Sequence, residues 1–185
     1  MKNINFNPWG LIFFLLFLDQ ALKLWVKTSM DVGDEVIITN WFVLHFVENN
    51  GFAFGWEFFG SAGKLFLTIF RIVFSFFVFR WLRDLIKSKE SPWIVFSMAL
   101  IFAGAIGNII DSVFYGVFFD YAPLFFGRVV DMFYFPIIDG YYPDWVPVFG
   151  GEYFMFFRYI FNVADSCITI GAFVLLFNYK NLSLK

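Results

Sequence analysis

Phe161-Asn162-Val163-Ala164-Asp165 lies inside the oily stretch 156–177, and Gly104-Ala105-Ile106-Gly107-Asn108-Ile109-Ile110-Asp111 runs through the end of another, 92–115. Carboxylates and amides are costly in hydrocarbon. At membrane depth they face a bundle interior or a water-filled cavity, and they mark function. On a helix, positions three or four apart share a face, so Gly104, Gly107, Asn108 and Asp111 form one stripe and Asn162 and Asp165 an i, i+3 pair. Glycines in such a stripe let helices approach closely. The expected fold is therefore an all-α integral membrane bundle whose polar stripes meet inside it.

Working outward, the composition agrees. Of 185 residues 61% are hydrophobic and 15% charged, against about 45–50% and about 25% in soluble domains. The length suits a single membrane-embedded domain, 1–185. Four segments approach the roughly 20 apolar residues a spanning helix needs, namely 8–26, 64–82, 92–115 and 156–177. The first lacks a small-x-small cleavage site and is broken by Asp19, Gln20 and Lys23, so it is read as retained. Arg80, Arg83, Lys87 and Lys89 lie between the second and third spans, Lys2 at the N-terminus, Lys180 and Lys185 at the C-terminus. Loop 28–62 has acids and no Lys or Arg, and loop 116–155 has Arg128 alone against five acids. The positive-inside rule puts both termini in the cytoplasm and both long loops outside. The net charge of −2 is too small for nucleic acid or a polybasic patch. One cysteine, Cys167, and one histidine, His45, exclude a Cys/His metal cluster and are read as packing residues.

The outer loops look structured. Residues 36–47 are rich in Val, Ile, Trp and Phe, which favours strands, and Asn50-Gly51 is a tight-turn pair. A small extracytoplasmic β cradle is expected. Tyr141-Tyr142-Pro143-Asp144-Trp145 and Gly150-Gly151 predict a turn-rich segment with rings at headgroup level.

Polar groups of the two stripes lie toward the outer side, and the outer loop between them contains Val129-Val130-Asp131-Met132. Two carboxylates sharing a site do not both ionise easily. One keeps a proton, the other acts as a base, and a water between them attacks a carbonyl. Aspartate acid–base peptide hydrolysis is the chemistry these residues supply best.

At this point the chain resembles the lipoprotein signal peptidases (signal peptidase II) over nearly its whole length. Asp19-Gln20-Ala21-Leu22-Lys23 is similar to that family's D-Q-x-x-K, and Asn49-Asn50-Gly51-Phe52-Ala53-Phe54 to N-x-G-x-A-F. The stretch from Gly104 to Asp111 resembles G-A-x-G-N-x-x-D, Val130-Asp131 the V-D of the first catalytic motif, and Phe161 to Asp165 F-N-x-A-D. The resemblance implies an aspartyl endopeptidase of the bacterial inner membrane, active toward the periplasmic face. It would cut diacylglyceryl-modified prolipoproteins just before the lipidated cysteine, with membrane lipid around it and globomycin-type inhibitors in its cleft. No metal or organic cofactor is implied, and a monomer is the simplest assembly. Asp131 and Asp165 would be the catalytic pair. Asn49, Gly51, Asn108, Asp111, Asn162, Asp19 and Lys23 would support it or the substrate.

Three departures stand out. Ser112 occupies the place where the family usually has Arg, with Arg71 and Arg128 as possible substitutes. The spacing from Gly116 to Val130 is long, so Asp120 rivals Asp131 as first aspartate. Residues 135–157 form an additional outer segment that would shape the entrance or act as a lid. Blander readings remain open: Asp19 and Lys23 as a structural i, i+4 pair, Asn49-Asn50-Gly51 as a turn, Asp111 as a support, Asn162 and Asp165 as interhelical glue. The competing functions are a transporter or channel subunit and a catalytically dead scaffold. A conduction path should thread both leaflets, whereas the inner halves of spans three and four offer little beyond Ser97 and Thr169.

Overall fold

The computed structural model describes residues 6–51, 60–156 and 158–181. The motif residues Phe52, Ala53, Phe54 and Gly55 lie outside them, as do the topology lysines Lys2 and Lys185. Four apolar helices pack into a bundle: α1 (Pro8–Ser29), α2 (Gly60–Lys87), α3 (Pro92–Ile110) and α5 (Val163–Asn178). A π turn, Asp111–Tyr115, and a short α4, Gly116–Phe118, extend α3. Three helices, Pro8–Ser29, Gly60–Lys87 and Pro92–Phe118, are long and apolar enough to cross a membrane.

α1 starts where Asn7 Oδ1 accepts the Gly10 amide (3.1 Å) and Pro8 takes the first turn, a position that needs no N–H donor. Its buried stripe is Pro8, Ile12, Asp19, Lys23 and Val26. Large side chains such as Phe13, Phe14, Phe66 and Phe70 point outward, as a helix bundle solvated by lipid requires. Toward one end the helices close on Ile12, Val78, Leu82, Leu85, Ile94, Val95, Met98 and Ala99.

The expected fourth span is corrected. Helix begins at Val163, not at 156, because two parts of the preceding run are drawn into sheets: β5 (Tyr153–Met155) pairs with β4 (Asp139–Tyr141), and β6 (Ile160–Phe161) with β3 (Val129–Tyr134). An apolar aromatic run does not by itself distinguish a buried strand from a helix. The capping residue Asn162 decides where helix starts.

The predicted cradle is a four-stranded antiparallel sheet of order β1-β2-β3-β6, with β1 at Glu35–Thr39 and β2 at Phe42–Asn49. A second core of Val26, Phe46, Tyr115, Val130 and Met132 joins it to the bundle. Side chains alternate along a strand, so with Val130 and Met132 in this core, Asp131 faces the other way. Residues 142–152 form the expected turns between β4 and β5, whose hairpin pairing periodicity had not indicated.

Candidate active site

Asp131 and Asp165 come from different elements and meet through Asn162. Asn162 precedes α5 and caps it, its Oδ1 accepting the Asp165 amide (2.8 Å). Its Nδ2 donates to Asp131 Oδ1 (2.7 Å) and to the Val130 carbonyl (3.2 Å). Asn108 Nδ2 donates to Asp165 Oδ1 (2.8 Å), and Asn49 Nδ2 to Asp131 Oδ2 (3.2 Å). Each carboxylate is therefore gripped by an amide. The expected i, i+3 pair on a span is an N-cap with its first-turn carboxylate, where helix N–H groups favour negative charge.

A layer beneath holds these groups. Lys23 is fully buried and its Nζ contacts Asp19 Oδ2 (2.9 Å), Asp111 Oδ2 (2.8 Å) and Asn108 Oδ1 (3.0 Å). Asp19 Oδ1 accepts the Ala164 amide (2.9 Å), a second anchor on the start of α5. Asp111 Oδ2 also accepts the Val130 amide (3.3 Å), which ties the π turn to β3. π turns within helices are frequent at functional sites. Gln20 links Asp111 Oδ1 (2.9 Å), the Gly107 carbonyl (3.2 Å) and the Tyr115 hydroxyl, which donates to its Oε1 (3.2 Å). The i, i+4 pair Asp19–Lys23 is thus structural and also part of the scaffold beneath the two aspartates.

Close packing makes these distances possible. A Cβ on Gly104 would lie 2.2 Å from the Ala164 carbonyl oxygen, and one on Gly107 2.6 Å from Asp19 Oδ2. At the far end of the same seam, Gly171 would meet the Ser97 carbonyl at 2.7 Å. The glycines let α3 and α5 meet backbone to backbone and bring the Asp19 side chain of α1 against α3.

Asn49 ends β2 and folds back, its Oδ1 accepting the Gly51 amide (2.6 Å). Gly51 has φ +93, and Arg71 fills the space where a side chain would be. Arg71 Nη2 donates to the Gly51 carbonyl (2.9 Å) and Nη1 to Ser112 Oγ (3.3 Å). It lies within electrostatic range of Asp165, Asp131 and Asp111. Of the two arginines considered for the cation missing at Ser112, Arg71 is the one at the site. Arg128 instead pairs with Glu48 (3.0 Å), which also holds Lys27. Asp120 is exposed at φ +54, on a segment that folds back over α3 as Gly127 donates to the Ser112 carbonyl (2.9 Å).

Sequence reasoning quoted Gln20 within a motif without giving it a site role, and gave none to Tyr115 or Lys64. Lys64, treated as a span boundary, is buried and donates to Ser112 Oγ (3.3 Å). A cation at an apolar segment's edge reads as solvated, so its depth had no signal. Cys167 is buried in packing, whereas His45 Nδ1 lies 2.8 Å from Glu35 Oε1 between β2 and β1. Among the described residues no group of three or more His, Cys, Asp or Glu could hold a metal.

Asp131 is 3% exposed. Burial first, and the neighbouring Asp165 charge second, push its carboxyl up from 3.8 to about 7. The site thus holds an aspartate that retains a proton near neutrality beside a second carboxylate, the arrangement acid–base hydrolysis requires.

The lipoprotein signal peptidase of Porphyromonas gingivalis is 48% identical over 186 residues, covering 92% of this chain and 81% of that protein. Its counterpart in Amoebophilus asiaticus is 37% identical, covering 88% and 73%. A bacterial membrane enzyme solved by the in meso method matches with TM-score 0.63 at 25% identity, over 96% of this chain and 92% of its own. A second such structure shares the fold at TM-score 0.64 and 23% identity. The family model for signal peptidase (SPase) II matches residues 11–180, and with these relatives it establishes that the chain belongs to the signal peptidase II family.

Proposed function

We propose that this chain is a membrane aspartyl endopeptidase that removes the signal peptide from diacylglyceryl-modified prolipoproteins, cutting just before the lipidated cysteine. The observation that carries the reading is Asn162 bridging Asp131 and the first turn of α5 at Asp165. Asp165 takes a proton from water as the water oxygen attacks the scissile carbonyl carbon. Asp131 gives its proton to the carbonyl oxygen, leaving a neutral tetrahedral diol. The C–N bond then breaks, the leaving amine of the cysteine takes the proton from Asp165, and a diol hydroxyl returns one to Asp131. Asn49, Asn108 and Asn162 orient the carboxylates; Asp19, Lys23 and Asp111 hold the helices that carry them, and Gly51 shapes the turn beside Asn49.

The chain acts as a single domain in the bacterial inner membrane, both termini cytoplasmic, with the sheet and dyad toward the periplasm. The 16 residues of α5 rise about 24 Å, which with its following 3-10 turn makes a fourth span of a core about 30 Å thick. The segments 117–129 and 135–157 border the substrate entrance. A monomer with globomycin-type inhibitors in the same cleft completes the proposal.

The test is a gel-shift cleavage assay on diacylglyceryl prolipoprotein, with and without globomycin. Wild type and Asp120→Asn should cleave, and Asp131→Asn and Asp165→Asn should not. No cleavage by folded wild type would overturn the function; a dead Asp120→Asn would move the first aspartate.

A further inference from the structure

Strands β2 and β3 carry Asn49 and Asp131, the amide and the acid joined at the dyad, yet the ladder between them is broken. At one end Val43 pairs with Tyr134 and Leu44 with Phe133. At the dyad end Val47 pairs with Asp131, Glu48 with Val130 and Asn49 with Val129, and the register shifts between Leu44 and Val47. A short run of pairs beyond an irregularity specifies its register weakly, and a slip of one residue turns every side chain to the opposite face. Such a slip would take Asn49 off Asp131.

Glu48 has the side chain placed to prevent it. Side chains alternate along a strand, so Glu48 points away from the face that holds Asn49. Its side chain is 8% exposed and meets two cations from different segments. Lys27, in the last turn of α1, bonds Oε1, and Arg128, the residue before β3, bonds Oε2 at 3.0 Å. The Lys27 ammonium also lies over the rings of Phe119 (4.7 Å) and Tyr121 (4.8 Å). Arg128 lies over the Tyr121 ring (5.5 Å), and its backbone amide donates to the Tyr121 hydroxyl (2.7 Å). One carboxylate thus ties β2 to the end of α1 and to the segment 119–128 that leads into β3. An exposed ion pair would contribute little, but removing one partner of a buried pair leaves an uncompensated charge. We propose that Glu48 is a positioning residue: held by Lys27 and Arg128, it fixes the β2–β3 register that keeps the Asn49 amide on Asp131. Its kinetic consequence rests on the peptidase reading; the register itself does not.

Glu48→Gln keeps the shape and removes the charge. Asp131 is faced by Asp165 of α5, Lys23 of α1 and Arg71 of α2, and by the amides of Asn49 and Asn162. The Asn49 bond favours the ionised carboxylate, so losing it moves the Asp131 titration to higher pH. Loss of the Glu48 charge by itself acts in the opposite direction, because a nearby negative charge holds a proton on a carboxyl. The full-length chain in detergent micelles is titrated by infrared spectroscopy, following the protonated-carboxyl band that Asp131→Asn removes. A midpoint raised by roughly half a pH unit in Glu48→Gln is expected; an unchanged or lowered midpoint overturns the proposal. This titration needs no cleavage, so a folded wild type that cut nothing would end the peptidase reading and leave the register to be decided by the midpoint. In cleavage assays kcat/KM should fall about tenfold, with its alkaline limb moved up by the same interval. Glu48→Gln combined with Asn49→Ala should be no slower than Asn49→Ala alone; losses that multiply overturn the path through Asn49. Arg128→Gln, at a half-exposed side chain, removes one of the two cations and serves if Glu48→Gln does not fold. It should lower kcat/KM about threefold and raise the midpoint in the same direction; a midpoint at the wild-type value overturns the proposal.

Discussion

Replacing Asp131 with Asn should abolish cleavage and yet make the protein more stable in base. Asp131 lies on β3, 3% exposed, with amides of Asn49 and Asn162 on its two oxygens. Burial and the Asp165 charge raise its carboxyl from 3.8 to about 7. Between those values the folded chain keeps the proton and the unfolded chain has lost it, so stability falls as pH rises through this window. At about 1.4 kcal/mol per tenfold change in proton affinity, the loss is about 4 kcal/mol, complete above roughly pH 8. Asn cannot ionise, and its amide retains an acceptor for either neighbour. The quantity to measure is the wild-type minus Asp131→Asn unfolding free energy at pH 4 and at pH 8, by tryptophan fluorescence during denaturation in mixed micelles. Comparing the two pH values cancels any fixed effect of the amide. The variant should gain about 4 kcal/mol on wild type between them. A gain below about 1 kcal/mol would show that Asp131 is not held protonated by burial, and with it would fall the assignment of Asp131 as the acid.

Three further outcomes follow from the geometry. Lys23→Met leaves Asp19 and Asp111 buried without their cation and should cost about 3–5 kcal/mol; a melting temperature equal to wild type would show that the layer beneath the dyad is not held by this charge. Gly104→Ala puts a methyl 2.2 Å from the Ala164 carbonyl and should cost about 1–3 kcal/mol, while Gly140→Ala, whose nearest neighbour would be 3.7 Å away, serves as a near-neutral control in the same thermal denaturation. Arg71→Leu removes the donors to Gly51 and Ser112 and should lower kcat/KM by about 10–100-fold; steady-state kinetics at the wild-type value would take Arg71 out of the site.

Much of this protein was legible before any coordinates. Helix cores and polar stripes follow from local physics: an apolar run of sufficient length must satisfy its backbone internally, and amides or acids within it must face protein. Asn108, Asp111, Asn162 and Asp165 stood out as costly groups in apolar sequence, and the short motifs around Asp19, Asn49 and Asp131 pointed to one family. Residues 36–47 read as strand because β-branched and aromatic residues fit a pleated surface. The start of α5 was not legible, since 153–161 is equally apolar as strand or helix and only pairing with β3 and β4 settled it.

What the sequence by itself determined is which residues are available, on which face of each helix, and in an order that matches a family. The tertiary structure alone decided what they do to one another. Asp131 meets Asp165 because the segment 119–128 folds back over the end of α3 and β3 then pairs beside β6. Lys23 bridges two acids because Gly104 and Gly107 let three helices close to contact distance. Arg71 reaches the site because Gly51 has no side chain. Each depends on distances between segments far apart in the chain. Periodicity reports the face a residue occupies, but the partner opposite that face is set by packing.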